Sequence, residues 1–420
     1  MAHEIGYARR QGDFPGRAAE DNWDLQWPRS IRAYSKMARE DSQVKSVLKA
    51  IIQPVARTSW RLDPNGAAPE VVQMIAEDLN LQVTGEDMDN PVVRTPRRAS
   101  WSRHLRRALK TMLVYGHSYF ETVWEDADET EDKRTHLRKL APRHPETLTK
   151  INVADDGGLI SIEQAGVGAA GPVVIPVSEL LAYVTDDDRD EWVGESTLRA
   201  AYKHWRLKDE FLRLEQIVLD RNGMGVPVMR TAPMAEQEDL DRASEIVEGV
   251  RSGEHSGVAI KDGEALDIKG VSGQLVSPRD AIAYHDSQIA RTALAHALNL
   301  EGKGGSYSLA SVQMDLFFQG LNEIAQQMAD TANQYLVREM VVRYCGDEVG
   351  PFPMITFDTI DARTTLTSND LAALKNAGLI FADPRLEAHL RRLYELPPQQ
   401  PHDEYRTENR QEGGGAHEAP

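Results

Sequence analysis

Apolar residues recur at steps of three and four along the second half of the chain, the spacing of a buried helix face. The longest such stretch, ending at Cys345, covers about 35 residues, or roughly 50 Å at 1.5 Å per residue. A shorter helix is predicted from Ser277 to Asn299, because Ser277 can cap it and Pro278 fits its first turn. The glycine-rich segment 301–308 should separate the two helices, since glycine gives up the most backbone entropy when ordered. An enzyme lid, a pore-lining loop and a plain helical hairpin all fit this pattern.

The first half of the chain alternates helices with short strands. Its apolar spacing predicts one helix or two between Pro28 and Thr58, with Asp41 as a possible cap of the second part, and a helix from Trp101 to Tyr115 that Gly116 ends. A short amphipathic helix is predicted over 69–81. β-Branched and aromatic residues predict strands at Trp60–Pro64, Ser118–Glu125, His136–Leu140, Thr149–Val153, Leu159–Gln164 and Val173–Val184.

A second long helix is predicted from Ser196, as its cap, to about Asn222. A compact α/β insertion follows it, and the chain then returns to Ser277. The insertion and the segments after Cys345 contain a predicted strand at Val226–Arg230, an acidic helix at Ala235–Arg251, strands at Ser256–Ile260, Ala265–Val271 and Met354–Asp358, and short helices at Asp370–Gly378 and Pro384–Tyr394. The whole pattern predicts an α+β fold.

Composition limits the classes of function. The chain has 420 residues, 41% of them hydrophobic, and a formal net charge of −18. A protein that grips nucleic acid tightly usually carries a basic face, which this chain lacks overall. The single cysteine, Cys345, excludes an intrachain disulfide and suits a reducing compartment. No apolar signal segment begins the chain, and no run approaches the eighteen or so apolar residues of a membrane span.

Motifs of catalysis or cofactor binding are weak. The sequence Gly166–Gly171 matches G-x-G-x-x-G, but Pro172 and a β-branched run follow it where a helix is required, so a loop between strands is the better interpretation. The segment Gly302–Gly305 lacks the spacing of a phosphate-binding loop. His285 and Asp286 could form a catalytic pair, but adjacent residues of a helix point apart. The carboxylates of 186–188 are typical of a solvated loop.

The order of the parts resembles the portal proteins of tailed bacteriophages, in their Mu-type branch. A long helix, a small insertion, a returning helix, a glycine-rich loop and the longest helix follow one another from Gly194 to Cys345. The sequences that carry the resemblance are GHSYFETVW at 116–124, LRKLAPRHP at 137–145, GESTLRAAYKHW at 194–205 and DRNGMGVP at 220–227. Each motif is loose alone, and their order together is more specific.

The resemblance implies a portal fold with a wing, a two-helix stem, a small α/β clip, a tunnel loop with a long helix, and a small helical crown. On this chain the parts would be a flexible arm (1–27), the wing (28–193), stem helices (194–222 and 277–299), the clip (223–276), the tunnel loop (300–308), the long helix with the return to the wing (309–364), the crown (365–396) and a disordered tail (397–420). The clip is short and the crown small for the family.

The resemblance also implies a structural protein, not an enzyme, with no metal and no cofactor. Portal proteins form rings, typically dodecamers, at one capsid vertex, and double-stranded DNA passes through the channel during packaging and ejection. The tunnel-loop residues Lys303, Ser306 and Tyr307 would face DNA, although Lys303 could equally be a solubilising loop residue. The clip residues Glu236, Asp239, Arg242 and Glu245 would face partner proteins.

The expected partners are other copies of the chain, DNA, the terminase large subunit, the major capsid protein and a head-tail adaptor. The expected location is the virion, after assembly in the cytoplasm of the bacterial host, with no membrane contact. The alternative is a phage-encoded DNA-processing enzyme, such as a metal-dependent nuclease. That enzyme would need a carboxylate cluster for metal ions, which the sequence does not reveal with any clear spacing. A scaffolding protein would be mostly one coiled coil, and this chain has too many predicted strands.

Overall fold

A computed structural model describes the protein at residues 20–86, 92, 99–127, 130, 133–166, 171–186, 192–224, 226–231, 234–249, 259–260, 264–269, 277–292, 307–346, 350–361, 373–378 and 387. The chain divides into two compact units, 1–360 and 361–420. In the second unit, residues 373–376 are helical, which agrees with the helix predicted at 370–378. The helix predicted at 384–394 lies outside the described residues except at position 387.

In the part of the first unit that the structure describes, four α-helices come before residue 116: α1 (Arg29–Glu40), α2 (Ser42–Arg57), α3 (Pro69–Leu79) and α4 (Trp101–Tyr115). The segment 28–58 is thus two helices. Asp41 separates them, and its Oδ1 accepts a hydrogen bond from the Val44 N–H at 2.9 Å, as the cap prediction required. Asn80 ends α3 and Gly116 ends α4, both in the left-handed conformation that helix C-termini favour.

Two antiparallel three-stranded sheets follow α4. One has the order β4–β3–β8, from His136–Arg143, His117–Glu125 and Leu180–Val184; the other has the order β5–β6–β7, from Leu148–Val153, Leu159–Gln164 and Val173–Pro176. The single strand predicted at 173–184 is therefore wrong, because β7 and β8 belong to different sheets. Pro176, which has no N–H for a ladder, ends β7, and a 3₁₀ turn at Val177–Glu179 leads to β8.

A third sheet joins distant parts of the chain. Strand β1 (Trp60–Asp63) lies between the parallel two-residue strand β2 (Gln82–Val83), which the sequence analysis missed, and the antiparallel strand β11 (Met354–Phe357). Trp60 opposes Phe357, with their ring centroids 5.2 Å apart. The C-terminal part of the first unit thus completes a sheet that begins near the N-terminus.

The predicted long helix is confirmed, with one irregularity. Helix α8 (Tyr307–Thr331) continues into a π-helical segment, Ala332–Val337, and then into α9 (Arg338–Cys345). Two asparagines of this helix each form two hydrogen bonds to a single residue, one to its N–H and one to its C=O. The bonded residues lie in β11 or just after it. Asn333 bonds the N–H and C=O of Ile355 at 2.7 and 3.0 Å, and Asn322 does the same for Ile360 at 2.8 and 2.7 Å. The helix thereby covers the open edge of the sheet.

Two further helices, α5 (Tyr202–Met224) and α7 (Arg279–Arg291), pack against each other and form what we call the helix pair. The sequence placed the start of α5 directly after Ser196, and this is wrong. The Ser196 hydroxyl accepts a hydrogen bond from the Leu198 N–H at 3.0 Å and donates to the Val114 carbonyl at 2.6 Å, which holds 197–201 as turns. Residues 293–299 of the predicted returning helix lie outside the described residues.

Between the two members of the helix pair lies a small α/β segment, which we call the insert. Its strands β9 (Val226–Arg230) and β10 (Ala265–Lys269) form an antiparallel pair, and α6 (Gln237–Gly249) packs on β9. The strand predicted at 256–260 is outside the described residues except for 259–260, which are not in a strand. The insert has the predicted α/β character on a small scale.

A large buried cluster joins α1–α4, α8 and α9 with the sheets, and a smaller one lies under β5–β7. Residues 20–27 also join the first unit. Leu25 is buried, Glu20 pairs with Arg199, and Asp24 accepts a hydrogen bond from the Tyr202 hydroxyl at 2.9 Å. The prediction of a flexible arm is therefore wrong for its last eight residues, because charged side chains there find partners on α5 and in the turn before it.

Candidate functional site

The core and the helix pair meet where two glycines cross, and we call this region the junction. Gly116 ends α4 with φ +88° and Gly194 precedes the helix pair with φ +64°. A Cβ on Gly116 would lie 2.7 Å from the Gly194 carbonyl oxygen. A Cβ on Gly194 would overlap the Gly116 carbonyl oxygen and lie 2.6 Å from that of Thr185. Both positions therefore require glycine, for backbone conformation and for space.

Hydrogen bonds fix this crossing on both sides. The Thr185 hydroxyl lies 2.9 Å from the carbonyl oxygens of Gly116 and Glu195, within hydrogen-bonding distance of each. The Thr185 N–H also donates to the Gly116 carbonyl at 2.9 Å, and the Thr197 N–H donates to the Leu113 carbonyl at 3.1 Å. The chain leaving β8 and the chain entering the helix pair are thus bonded to the same corner.

A buried histidine supports the corner. His117 Nδ1 donates to the Val193 carbonyl oxygen at 2.7 Å, since a carbonyl can only accept. Burial lowers the pKa of His117 to about 4. The imidazole is therefore neutral at pH 7 and acts as a fixed hydrogen-bond donor.

A buried ion pair network ties α5 to both the core and α7. Lys208 Nζ lies 2.9 Å from Asp41 Oδ2 and 2.6 Å from Asp286 Oδ1. The side chains of Lys208 and Asp41 are only 8% and 6% exposed. Burial by itself lowers the pKa of Lys208, but hydrogen bonds to Asp286 and Asp41 outweigh it, so the pKa lies above its ordinary value. Because Asp41 also caps α2, one ammonium group links three helices.

Two histidines lie beside this network. His204 Nδ1 and His285 Nδ1 are 3.0 Å apart, so one ring donates and the other accepts. Burial, with electrostatic effects of Lys203 and His285 as smaller causes, lowers the pKa of His204. His285 also stacks on Phe211, whereas Asp286 bonds Lys208. The adjacent residues His285 and Asp286 therefore have separate partners, in agreement with the rejection of a catalytic pair.

The four residues predicted for the partner-facing surface lie on or next to α6. Glu236 and Glu245 are exposed. Arg242 is held within the insert, where it bonds Glu264 at 2.7 Å and Asp239 at 3.1 Å. The structure thus separates the four into two exposed carboxylates and an internally paired Arg242 with Asp239.

Two of the three predicted channel-facing residues, Lys303 and Ser306, lie outside the described residues. Tyr307 is the first residue of α8, and its side chain lies outside them too. Within the described ranges no group of three or more His, Cys, Asp or Glu side chains could hold a metal ion. No described helix is both long and apolar enough to cross a membrane.

The helix pair leaves apolar side chains uncovered. Five such residues on α5 are between 43% and 54% exposed: Leu207, Leu212, Leu214, Ile217 and Leu219. They do not fall on one stripe, because successive members are two to five residues apart. A single partner helix, α7, cannot cover so wide a surface, so the pair has more apolar area than one copy of the chain buries.

Comparison with known families decides the identity. The family model described as the portal protein of Mu bacteriophage matches residues 31–396. The chain belongs to this family. The resemblance predicted from the sequence motifs is thereby confirmed, and the protein is a phage portal protein. The nuclease alternative receives no support from the comparisons.

Solved structures agree with the portal fold. The neck of an empty gene transfer agent particle, computed with C6 symmetry, is 13% identical with a TM-score of 0.55; 91% of this chain and 96% of that chain are covered. The virion of the native particle is 13% identical with a TM-score of 0.53, and 89% of this chain and 95% of that chain are covered. The native neck computed with C12 symmetry is 13% identical with a TM-score of 0.52, and the same shares of the two chains are covered. At this identity the likeness concerns the fold.

The junction brings together two of the portal-like motifs that lie far apart in sequence. The motif at 116–124 begins with Gly116 and the motif at 194–205 begins with Gly194, and the fold brings these glycines into contact. Nothing local in either motif predicted this contact. The burial of Lys208 was not predicted either, because one lysine among the many charges of α5 carries no sign that it is buried. Asp41, which belongs to the same ion-pair network, was singled out in the sequence, but as a possible helix cap.

Proposed function

We propose that this portal protein assembles into a closed ring of twelve copies at one vertex of the capsid. The uncovered apolar residues of α5 support this, because neighbouring copies around a ring would bury them. The C12 symmetry of the similar gene transfer agent neck supports the number. The observation that carries the proposal is the family match over residues 31–396.

The parts of the protomer would then take the roles that the sequence suggested. Residues 28–193 would form the wing, and 309–364 would be the long helix and the return to the wing. The helix pair would be the stem, 194–222 and 277–299, and the insert would be the clip, 223–276. Residues 300–308 would be the tunnel loop and 365–396 the crown, with a tail from 397. The junction would set the angle at which the stem leaves the wing.

The channel of the ring would pass double-stranded DNA during packaging and ejection. A protein with a net charge of −18 would not hold the phosphates strongly, so DNA could slide. Lys303, Ser306 and Tyr307 of the tunnel loop would be the local contacts. A Lys303→Gln variant would then package DNA at an altered rate in a reconstituted system and still form rings. Unchanged packaging would leave Lys303 as a solubilising residue.

The clip would meet the terminase large subunit and a head-tail adaptor through the exposed Glu236 and Glu245. Charge reversal at both positions should weaken terminase binding, whereas reversal of the exposed Glu70 on α3 should not. Arg242 and Asp239 would shape the clip from within, because they bond inside it. The wing would contact the major capsid protein. Assembly would take place in the cytoplasm of the bacterial host before the particle is completed.

Negative-stain electron microscopy with multi-angle light scattering tests the ring. A closed ring with a central hole and a mass near twelve times 46.9 kDa, about 560 kDa, is expected. Another closed ring would keep the portal role and correct the copy number. A monomer that hydrolyses DNA with Mg²⁺ would overturn the proposal.

A further inference from the structure

A basic cavity lies in the first unit, and none of the described residues that line it belongs to the junction. It has a volume of about 540 Å³. Helix α4 and strand β4 provide most of its wall, and Asn80 at the end of α3 completes it. The residues that matter for its chemistry are Ser100, Arg103, His104, Arg107 and Lys139. A cavity of this size suits a small ligand or a group projecting from a larger one.

Three cations line the cavity in the part of the chain that the structure describes, and no described lining residue carries a negative charge. Arg103, Arg107 and Lys139 are exposed, and none forms an ion pair with any part of the chain that the structure describes. Arg103 and Arg107 are four residues apart and therefore lie on the same face of α4. No carboxylate is among the described residues that line the cavity. Helix α4 and strand β4 contain no Asp or Glu at all, in a chain that has 66.

The beginning of α4 adds backbone donors to this charge. Ser100 occupies the cap position, but its side chain makes no capping hydrogen bond; its hydroxyl lies 3.3 Å from that of Ser102 instead. The N–H groups of the first turn are thus not satisfied by a cap side chain. Such groups and the helix dipole favour an anion.

A buried polar atom also belongs to this wall. His104 is 4% exposed, and its Nε2 bonds the Tyr183 hydroxyl at 2.9 Å. Its Nδ1 has no partner among the described residues. Buried polar atoms are usually paired, but this nitrogen has less than 1 Å² of accessible surface, so the wall would have to shift slightly before a ligand or water in the cavity could bond it. Nothing in the portal role of the junction, stem or clip accounts for it.

We propose that this cavity is a binding site for a phosphate group. Phosphate fits better than carboxylate, because it has more acceptor oxygens and carries up to two negative charges, which match three cations and a helix N-terminus. Arginine pairs with phosphate through two parallel N–H···O bonds, and the spacing of Arg103 and Arg107 lets both reach one group. The phosphate is either free in solution or part of a nucleic acid backbone. Its residues are different from those of the channel contacts proposed above.

Isothermal titration calorimetry of the full-length protein with inorganic phosphate, at constant ionic strength, tests the site. The double variant Arg103→Gln/Arg107→Gln should weaken binding at least tenfold. The matched control Arg106→Gln/Lys110→Gln removes the same charge from the same helix at exposed positions that do not line the cavity, and it should change binding less than twofold. Lys139→Gln on β4 provides an independent variant, with a circular dichroism melt for folding.

Two further titrations identify the source of the phosphate. Competition by a short DNA duplex, lost in the Arg103/Arg107 variant alone, assigns the site to nucleic acid backbone; absence of competition assigns it to free phosphate. The proposal is overturned if phosphate does not bind below 10 mM, or if both double variants lose binding equally. Binding of an oligoglutamate peptide without binding of phosphate would also overturn it and indicate a protein partner.

Discussion

The junction and the insert are both small, but buried contacts stabilise the junction whereas partly exposed contacts stabilise the insert. At the junction two glycines are in backbone contact, Thr185 and His117 bond carbonyl oxygens, and Lys208 is buried between two carboxylates. In the insert a two-stranded sheet and one helix are joined by ion pairs that are partly exposed, and Ile268 on its strand is 61% exposed. A two-stranded sheet is marginally stable alone.

This difference separates what one copy of the chain fixes from what it leaves to its neighbours. The junction is complete within one protomer, so the direction of the helix pair is set before any assembly. The insert and the outer faces of α5 lack cover, and a ring would supply it. We therefore expect damage at the junction to unfold the protomer and damage in the insert to remain local.

The largest expected effect is at the glycine crossing. Gly194→Ala should cost roughly 3–5 kcal/mol in the free energy of unfolding, because the new Cβ meets backbone atoms and the residue must stay left-handed. Gly346→Ala is the control, since it has φ +82° but nothing within 4 Å, and it should cost about 1–2 kcal/mol. Urea denaturation measures both. Equal losses would mean that the crossing has room to relax.

Removing the buried ammonium should have the next largest effect. Lys208→Met leaves the buried Asp41 without its partner and should cost about 3 kcal/mol. Arg213→Ala, which breaks an exposed pair with Asp209 on the same helix, should cost less than about 0.5 kcal/mol. Thermal denaturation compares the two variants. A small loss in Lys208→Met would show that the network contributes little to holding the helix pair.

A fall of one pH unit in the acid range should weaken the core by slightly less than the Lys208→Met change. Burial lowers the pKa of His104 to about 3 and of His117 to about 4, whereas both take up a proton near pH 6.5 in the unfolded chain. Their contribution to stability is therefore complete above about pH 6.5 and is lost as the pH falls toward 4, by about 1.4 kcal/mol per pH unit for each histidine.

Variants at single histidines show how much each histidine contributes to this pH dependence of stability. His117→Asn keeps a side-chain donor for the Val193 carbonyl and should roughly halve the slope of stability between pH 6.5 and 5. His144→Asn, at an exposed histidine, should leave the slope as it is. Denaturation at a series of pH values gives the slopes. An unchanged slope in His117→Asn would mean that this histidine is protonated in the folded state.

The smallest effect is expected in the insert. Arg242→Ala leaves Glu264, whose side chain is 7% exposed, without this arginine and should raise amide exchange in α6 about tenfold, or about 1.4 kcal/mol of local opening. Global stability should stay within about 0.5 kcal/mol. Arg230→Ala, which removes a 3.6 Å exposed pair with Asp267, should leave exchange unchanged. Global unfolding caused by Arg242→Ala would show that the insert is not independent.

Local signals in the sequence predicted most elements, and nonlocal contacts account for the errors. Helix α4 has the predicted bounds because Gly116 ends a steady apolar period, and strand β6 also has the predicted bounds. Strands β7 and β8 were merged, since only pairing with different partners separates them. The start of α5 was misplaced because the Ser196 hydroxyl bonds Val114, 82 residues away. The same limit hid the junction, whose parts are contributed by α2, α4, α5 and α7.

The pairing of β1 with β11 has a consequence for synthesis on the ribosome. Arg61 and Asp358 form a two-bonded ion pair at one end of this pairing, 297 residues apart in sequence. At about 5–20 residues per second, the ribosome needs about 15–60 s to make the chain between them. During that time β1 lacks its antiparallel neighbour, while α5, the insert and α7 have already emerged. A nascent chain therefore exposes its helix pair before its first sheet is finished, and only a nearly complete chain closes the core.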